Sequence, residues 1–455
     1  MTIETLNGRG RSRWSTPLVA LAAAGLVGCG GLLDVTNPNN IPSDAINQPV
    51  AAGPLVNGVW RDVSFGVANN IILEADASDE IEFSGSRDGW AELNRGKLSD
   101  GFNEFIDNSL GGGGYPKLAQ ARWEADNAIK ILEAQQGAST LVSPVNLTRA
   151  YLIAAVAYVT IPDLYDDFVI SSDRTTAGTP VGEANMQGLY DTAIGYLNKA
   201  LAMPQATGTL AVQLRMMRAR AYFNKAVWGL VHNPKRSGGG LVPAASADVA
   251  AAVNDAIAAL GAMPSPSYKF EFTYTTSTGT DWFGSEINSR QEMRLAPPYV
   301  AEVGSNKWGA TILMDPISGS PDPVVDAIQK KFVSDAQYVA VTVTSAREMH
   351  LILAEAALAG VAAAGTVQTR INNLRALDGL PAWDGATPDA LTMLQYERQA
   401  NLFLTGRRLA DMYRFGIMTS QWEPTAQARS GGWFLPISAQ ECLSNPNIGA
   451  AGCSR

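Results

Sequence analysis

The sequence predicts a mostly α protein: a scaffold of stacked helix pairs, with long irregular insertions and little β-structure. Three observations predict it. Four segments between residues 115 and 233 carry apolar residues at helical spacing. These segments are rich in Ala, and small side chains let neighbouring helices approach closely, as in helical repeats of about 34 residues. The chain from 234 to 343 is broken by Gly238-Gly239-Gly240 and alternates in only one short run. With 455 residues, 46% of them hydrophobic and 17% charged, there is ample material for a large core.

Taken in order, residues 1–28 read as a signal peptide. Arg9, Arg11 and Arg13 form a positive start, and Leu18 to Val27 is apolar or small. That run falls short of the roughly 20 residues a membrane-spanning helix needs. Leu26-Val27-Gly28-Cys29 resembles the lipobox of bacterial lipoproteins, in which the Cys thiol takes a lipid. A plain secretory leader that happens to hold a Cys is the competing reading. Residues 29–42, with Gly30, Gly31, Pro38 and Pro42, then form a lipidated tether. No later segment reads as long and apolar enough to cross a membrane.

A helical-repeat part is expected over 43–233. Ser43 can cap a first helix, which Pro49 keeps short, and Gly53-Pro54 starts a second. "SDEIEFSGSRDGWAELNRGKL" reads as a long loop. Helices follow over 115–135, 147–168 (with a break at Pro162), 186–203 and 211–233. The loop-rich part, 234–343, holds a helix at 246–261 and a strand within 268–275. The C-terminal part, 344–455, has helices over 344–362, 366–380 and 388–416, then a tail.

Composition excludes several functions. The net charge is −9 with no long Lys/Arg run, so no nucleic-acid partner is expected. His232 and His350 are the two histidines, and no HExxH or CxxC spacing occurs, so no metal or other cofactor is expected. The acidic "EADASDEIEF", 74–83, lacks calcium-loop spacing and reads as a solvated loop. "GGGGY", 111–115, lacks the Lys-Ser/Thr of a phosphate loop and reads as a flexible link. Cys442 and Cys453 either pair in an oxidising compartment or stay as free thiols; geometry decides.

Several blocks resemble the SusD/RagB family of outer-membrane nutrient-binding lipoproteins, in the family's order. They are Cys29 followed by "LLDVTNPNN", "RAYLIAAVAYVTIPDLYDDF", "LYDTAIGYLNKALAM", "REMHLILAEAAL", "RINNLRALDGLP", "YERQANLFLTGRRLADMYRFG" and "FLPISAQECLSNPNI". The chain departs from the family at Asn401 and Thr405, where acidic residues often stand. Glu397, Arg398, Gly406, Arg408 and Asp411 match, and this block reads as structural: paired charges around a helix ending near Gly416. The resemblance implies tetratricopeptide-like helix pairs and a ligand-facing loop surface. It implies a SusC-like TonB-dependent transporter as partner, an oligosaccharide or peptide as ligand, membrane attachment through the lipid, and no catalysis. Only Asp34 is acidic just after Cys29, so attachment to the outer membrane is better supported than exposure on its outer face.

A sugar- or peptide-binding surface needs flat aromatic faces beside polar groups. The loops supply Trp90 with Arg87 and Asp88, Trp282 with Asp281, and Trp308 with Asn306 and Lys307; Tyr268 and Tyr274 add edges. Each ring has an alternative role, plugging the gap beneath a loop. Trp60, Trp123 and Trp228 fall on helices and read as core. Two other functions compete with nutrient binding: a secreted hydrolase using loop carboxylates, and an envelope scaffold without a small ligand.

Overall fold

The computed structural model describes residues 43–99, 101, 103–107, 113–173, 175–232, 235, 237–301, 309–334 and 337–449. The leader, Cys29, the tether, Asn306, Lys307, Trp308 and Cys453 lie outside them. Cys442 is disulfide-bonded. The chain divides into two units, 1–48 and 49–455. In the first, a short helix α1 covers Ser43–Ile46.

The second unit is a continuous helical stack. Its helices are α2 (Ala52–Ala77), α3 (Asp88–Asn94), α4 (Gly114–Gly137), α5 (Val145–Leu164), α6 (Gly188–Leu201), α7 (Gly208–Val231) and α8 (Ala247–Ala262). After them come α9 (Pro323–Ser334), α10 (Ala346–Leu358), α11 (Val367–Ala376), α12 (Ala390–Asn401), α13 (Arg408–Phe415) and α14 (Ala439–Ser444). Helix α2 packs on α4 and α5, then α5 on α6, α6 on α7, α7 on α8, α8 on α10 and α10 on α11. The stack therefore runs through the expected boundary at 234. A second apolar cluster, with Leu351, Ile371, Leu374, Trp383 and Met393, joins α10, α11 and α12. Trp228 is buried, as expected, whereas Trp60 and Trp123 are half-buried.

Several local expectations are corrected. Helix α5 runs through Pro162 to Leu164. Pro162 sits in the last turn, where only the end of the ladder loses a donor, and packing on all sides holds the helix. Helix α5 is also long and apolar enough to cross a membrane by composition, but it is almost wholly buried in this fold. The expected loop after α2 contains β1 (Ile81–Phe83) and α3. The 234–343 region is more regular than its composition suggests. It holds α8, α9, β4 (Lys269–Phe272), β5 (Met293–Leu295), β6 (Val341–Ser345) and a π-helical turn, Gly284–Ser289. Each sheet is a two-stranded antiparallel pair: β1 with β5, β4 with β6, and β2 (Val169–Ile170) with β3 (Thr179–Pro180). Ser345 ends β6 and caps α10, its Oγ accepting from Glu348 N–H at 3.3 Å, so the expected helix at 344 starts two residues later.

The acidic stretch is not a solvated loop. Glu74, Asp76, Asp79 and Glu80 are at most 4% exposed. Arg408 clamps Asp79 with two hydrogen bonds, 2.6 and 2.8 Å. Glu74 accepts from Leu409 N–H at the start of α13 (2.6 Å), and Glu80 accepts from Leu404 N–H (2.9 Å). The block expected to be structural is so: α13 ends at Gly416 in the left-handed conformation (φ 69°). Gly406 (φ 73°) lies close enough to α2 that a Cβ would stand 3.2 Å from Ile71 Cγ1. Gly113 and Gly114, read as a flexible link, are tightly packed, with Asn70 and Leu73 crowding Gly114 at the start of α4.

Candidate ligand-binding site

The loop after α2 returns as β1, pairs with β5, and then turns into α3. Glu292, just before β5, fastens that turn. Its carboxylate accepts from Ser86 N–H at 2.7 Å and Arg87 N–H at 3.0 Å. Gly85 leaves room for it; a Cβ there would lie 2.2 Å from Glu292 Oε2. Arg87 then forms a two-point pair with Glu104, 3.2 and 2.9 Å, and lies 5.9 Å over the Phe105 ring. Asn103 donates to Gly89 C=O at 2.8 Å. The outcome is a shallow polar groove of about 440 Å3 lined by Ser86, Arg87, Asp88, Gly89, Glu92, Asn103 and Glu104.

An aromatic trio stands beneath and beside the groove. Trp90 stacks on Phe105 (centroids 3.8 Å apart, planes at 15°), and Trp282 meets both rings edge-on at 5.9 and 6.2 Å. Trp90 has no exposed surface, and its Nε1–H donates to Glu286 at 3.2 Å. Burial pushes the Glu286 carboxyl up, while Arg290 at 3.0 Å opposes this. Trp282 is half-buried, so it is the ring of the trio that keeps exposed surface. Asp281 beside it is inside the protein, accepting from Gly284 N–H and Val339 N–H at 2.7 Å each. Burial raises its pKa to about 6.

Four of the expected residues, Arg87, Asp88, Trp90 and Trp282, therefore come together. Trp90 is a correction: it is fully buried and leaves no ring face open to solvent. Tyr274 is another, being 5% exposed, set edge-on to Phe65, and donating to Ser64 C=O at 2.8 Å in α2. Half-buried Tyr268 turns toward α7, where its hydroxyl accepts from Gln213 at 2.9 Å. Sequence reasoning missed Glu104, Asn103, Phe105 and Glu292. They are ordinary residues without motif spacing, and only the fold brings them to α3. A second cleft, about 180 Å3, has an apolar floor including Phe283, Phe332 and Phe403, with Lys269, Glu271, Arg347 and Asp378 at its rim. None of the expected residues lines it.

No family model and no curated protein matches the sequence itself. Solved structures do match the fold. A SusD superfamily protein from Bacteroides thetaiotaomicron superposes with a TM-score of 0.62, covering 88% of this chain and 99% of its own, at 14% identity. The chain has a SusD-like fold. A laminarin binding SusD-like protein matches with a TM-score of 0.55 at 15% identity, over 88% of this chain and 98% of its own. A SusD-like carbohydrate binding protein from Bacteroides vulgatus matches with a TM-score of 0.51 at 13% identity, over 81% and 83%. The SusD-like fold carries the helix-pair scaffold that the periodicity predicts.

Proposed function

We propose that the chain is a non-enzymatic carbohydrate-binding lipoprotein of the bacterial outer membrane. It hands oligosaccharide to a SusC-like TonB-dependent transporter. The observation that carries this reading is the SusD-like fold, shared over 88% and 81% of the chain with proteins named for laminarin and carbohydrate binding. The groove beside α3 supports it chemically. Arg87, Asp88, Asn103 and Glu104 offer donors and acceptors for hydroxyls, and Trp282 offers an apolar ring for a sugar face. Cys29, with the run before it, supports lipid attachment. Surface exposure follows from the proposed partner.

Calorimetric titration with laminarin and other soluble glucans, and with peptides, tests the reading. Binding to at least one glucan is expected, with Trp282→Ala and Arg87→Ala each weakening it about tenfold, near 1.4 kcal/mol. Unchanged affinity in both variants sinks the placement. Binding to peptides alone replaces the ligand class, and turnover of a glycan replaces the function with a hydrolase.

A further inference from the structure

A small cavity of about 30 Å3 lies away from the groove, where the last turn of α5, the end of α7, the start of α13 and Phe434 meet. On the same measure a single water needs about 10–15 Å3, so the space suits one or two small species. Its carboxylates are already engaged. Asp163 accepts from Tyr190 (2.7 Å), Asn224 (2.9 Å) and Arg220 (2.8 Å), and Asp411 accepts from Arg398 (2.8 Å) and Arg414 (2.9 Å). The buried polar atoms of its lining that have no hydrogen-bond partner are all nitrogens: Trp228 Nε1, both His232 ring nitrogens, and Arg407 Nε and Nη2. Arg407 Nε points to Glu348 at 3.5 Å, which leaves Nη2 for the cavity.

A water molecule in such a place would need acceptors for both its hydrogens; the lining carboxylates are in use, and the bare ring nitrogen of neutral His232 offers one. An acceptor-only species uses every free N–H. The charges around the cavity are paired. Arg220, Arg398, Arg407 and Arg414 face Asp163, Glu348, Glu355 and Asp411. Burial pushes the Asp163 and Glu348 carboxyls up, while the Arg220 charge opposes this at both. His232 is clamped flat between Trp228 (4.3 Å) and Phe434 (4.4 Å), and burial lowers its pKa to about 3. Neutral, it carries one N–H and one bare ring nitrogen, and its Nε2 lies 3.7 Å from the buried Asp166 carboxylate.

We propose that this cavity binds one monatomic anion with the chemistry of chloride, held by Trp228 Nε1–H and Arg407 Nη2–H. The ion braces the junction of α5, α7 and α13 from inside. Crystals grown in sodium bromide are expected to show an anomalous peak in contact with both nitrogens. Melting in chloride and in gluconate at equal ionic strength should differ, with chloride raising Tm by about 2 °C. Trp228→Phe keeps the ring stack, removes the donor, and should abolish that difference. A water in place of bromide, or equal Tm in the two salts, overturns the proposal. If Trp228→Phe does not fold, the bromide map of the unaltered chain decides alone.

Discussion

Glu74 shows what a single side chain inherits from the fold. It lies on the second helix but answers to residues more than three hundred positions away, Leu409 and Arg408. Burial raises its pKa from 4.5 to about 8, and nearby Asp411 and Asp79 add to the rise against Arg408. Burial pushes Glu80 well up too, so the two carboxyls titrate as a pair. A raised carboxyl favours the folded state fully below its unfolded pKa. That stability is lost as pH rises from about 4.5 through about 8. Urea unfolding of Glu74→Gln should therefore show a flatter pH dependence over this window, with the pH 5 to pH 8 gap narrowed on the order of 1–3 kcal/mol. An unchanged slope would mean that Glu74 is ionised throughout. None of this was legible in "EADASDEIEF". Its charge resembles a solvated loop because the arginine and backbone donors that accept it belong to the distant α13 segment. The aromatic candidates divided for a similar reason. Trp90 and Trp282 look alike in sequence, and only the packing separates them: Trp90, stacked on Phe105, is fully buried, and Trp282, edge-on to the same ring, stays half-buried.

Elements were legible in proportion to their length. Helices α4 to α8 announce themselves through repeated apolar spacing, because each buries one stripe against the next. The three-residue strands β1 and β5 and the seven-residue α3 carry too few periods to be read. Pro162 misled in the other direction: its local effect is real, but the burial of α5 outweighs it. Close approach decides how the first helices pack. A Cβ on Gly66 of α2 would lie 3.2 Å from Leu118 Cα and 3.4 Å from Lys117 C=O in α4. Gly66→Val should force the two helices apart and cost about 1–3 kcal/mol, seen as a lower urea midpoint; Gly66→Ala should cost less. If both variants match the parent, the helices can slide without penalty.

For the molecule as a whole, the fold class was legible because a helical stack repeats its signal, whereas the groove was not, because it is made once from scattered residues. Attachment to a membrane is argued from the leader alone. Cys29→Ser should abolish labelling with a radioactive fatty acid and move the protein from the membrane pellet to the soluble fraction. Continued labelling would place the lipid elsewhere. The ties between α2 and the 404–422 segment carry one more consequence. Leu404, Arg408, Leu409 and Trp422 reach back to Glu80, Asp79, Glu74 and the Ala77 carbonyl across 324 to 345 residues of chain. A chain that emerges N-terminus first, from a ribosome or a translocation pore, therefore displays these carboxylates long before their partners arrive. Until then α2 has an acidic end facing water, which discourages premature collapse onto the wrong helix. The 404–422 segment acts as the latch that commits the first helices to their places.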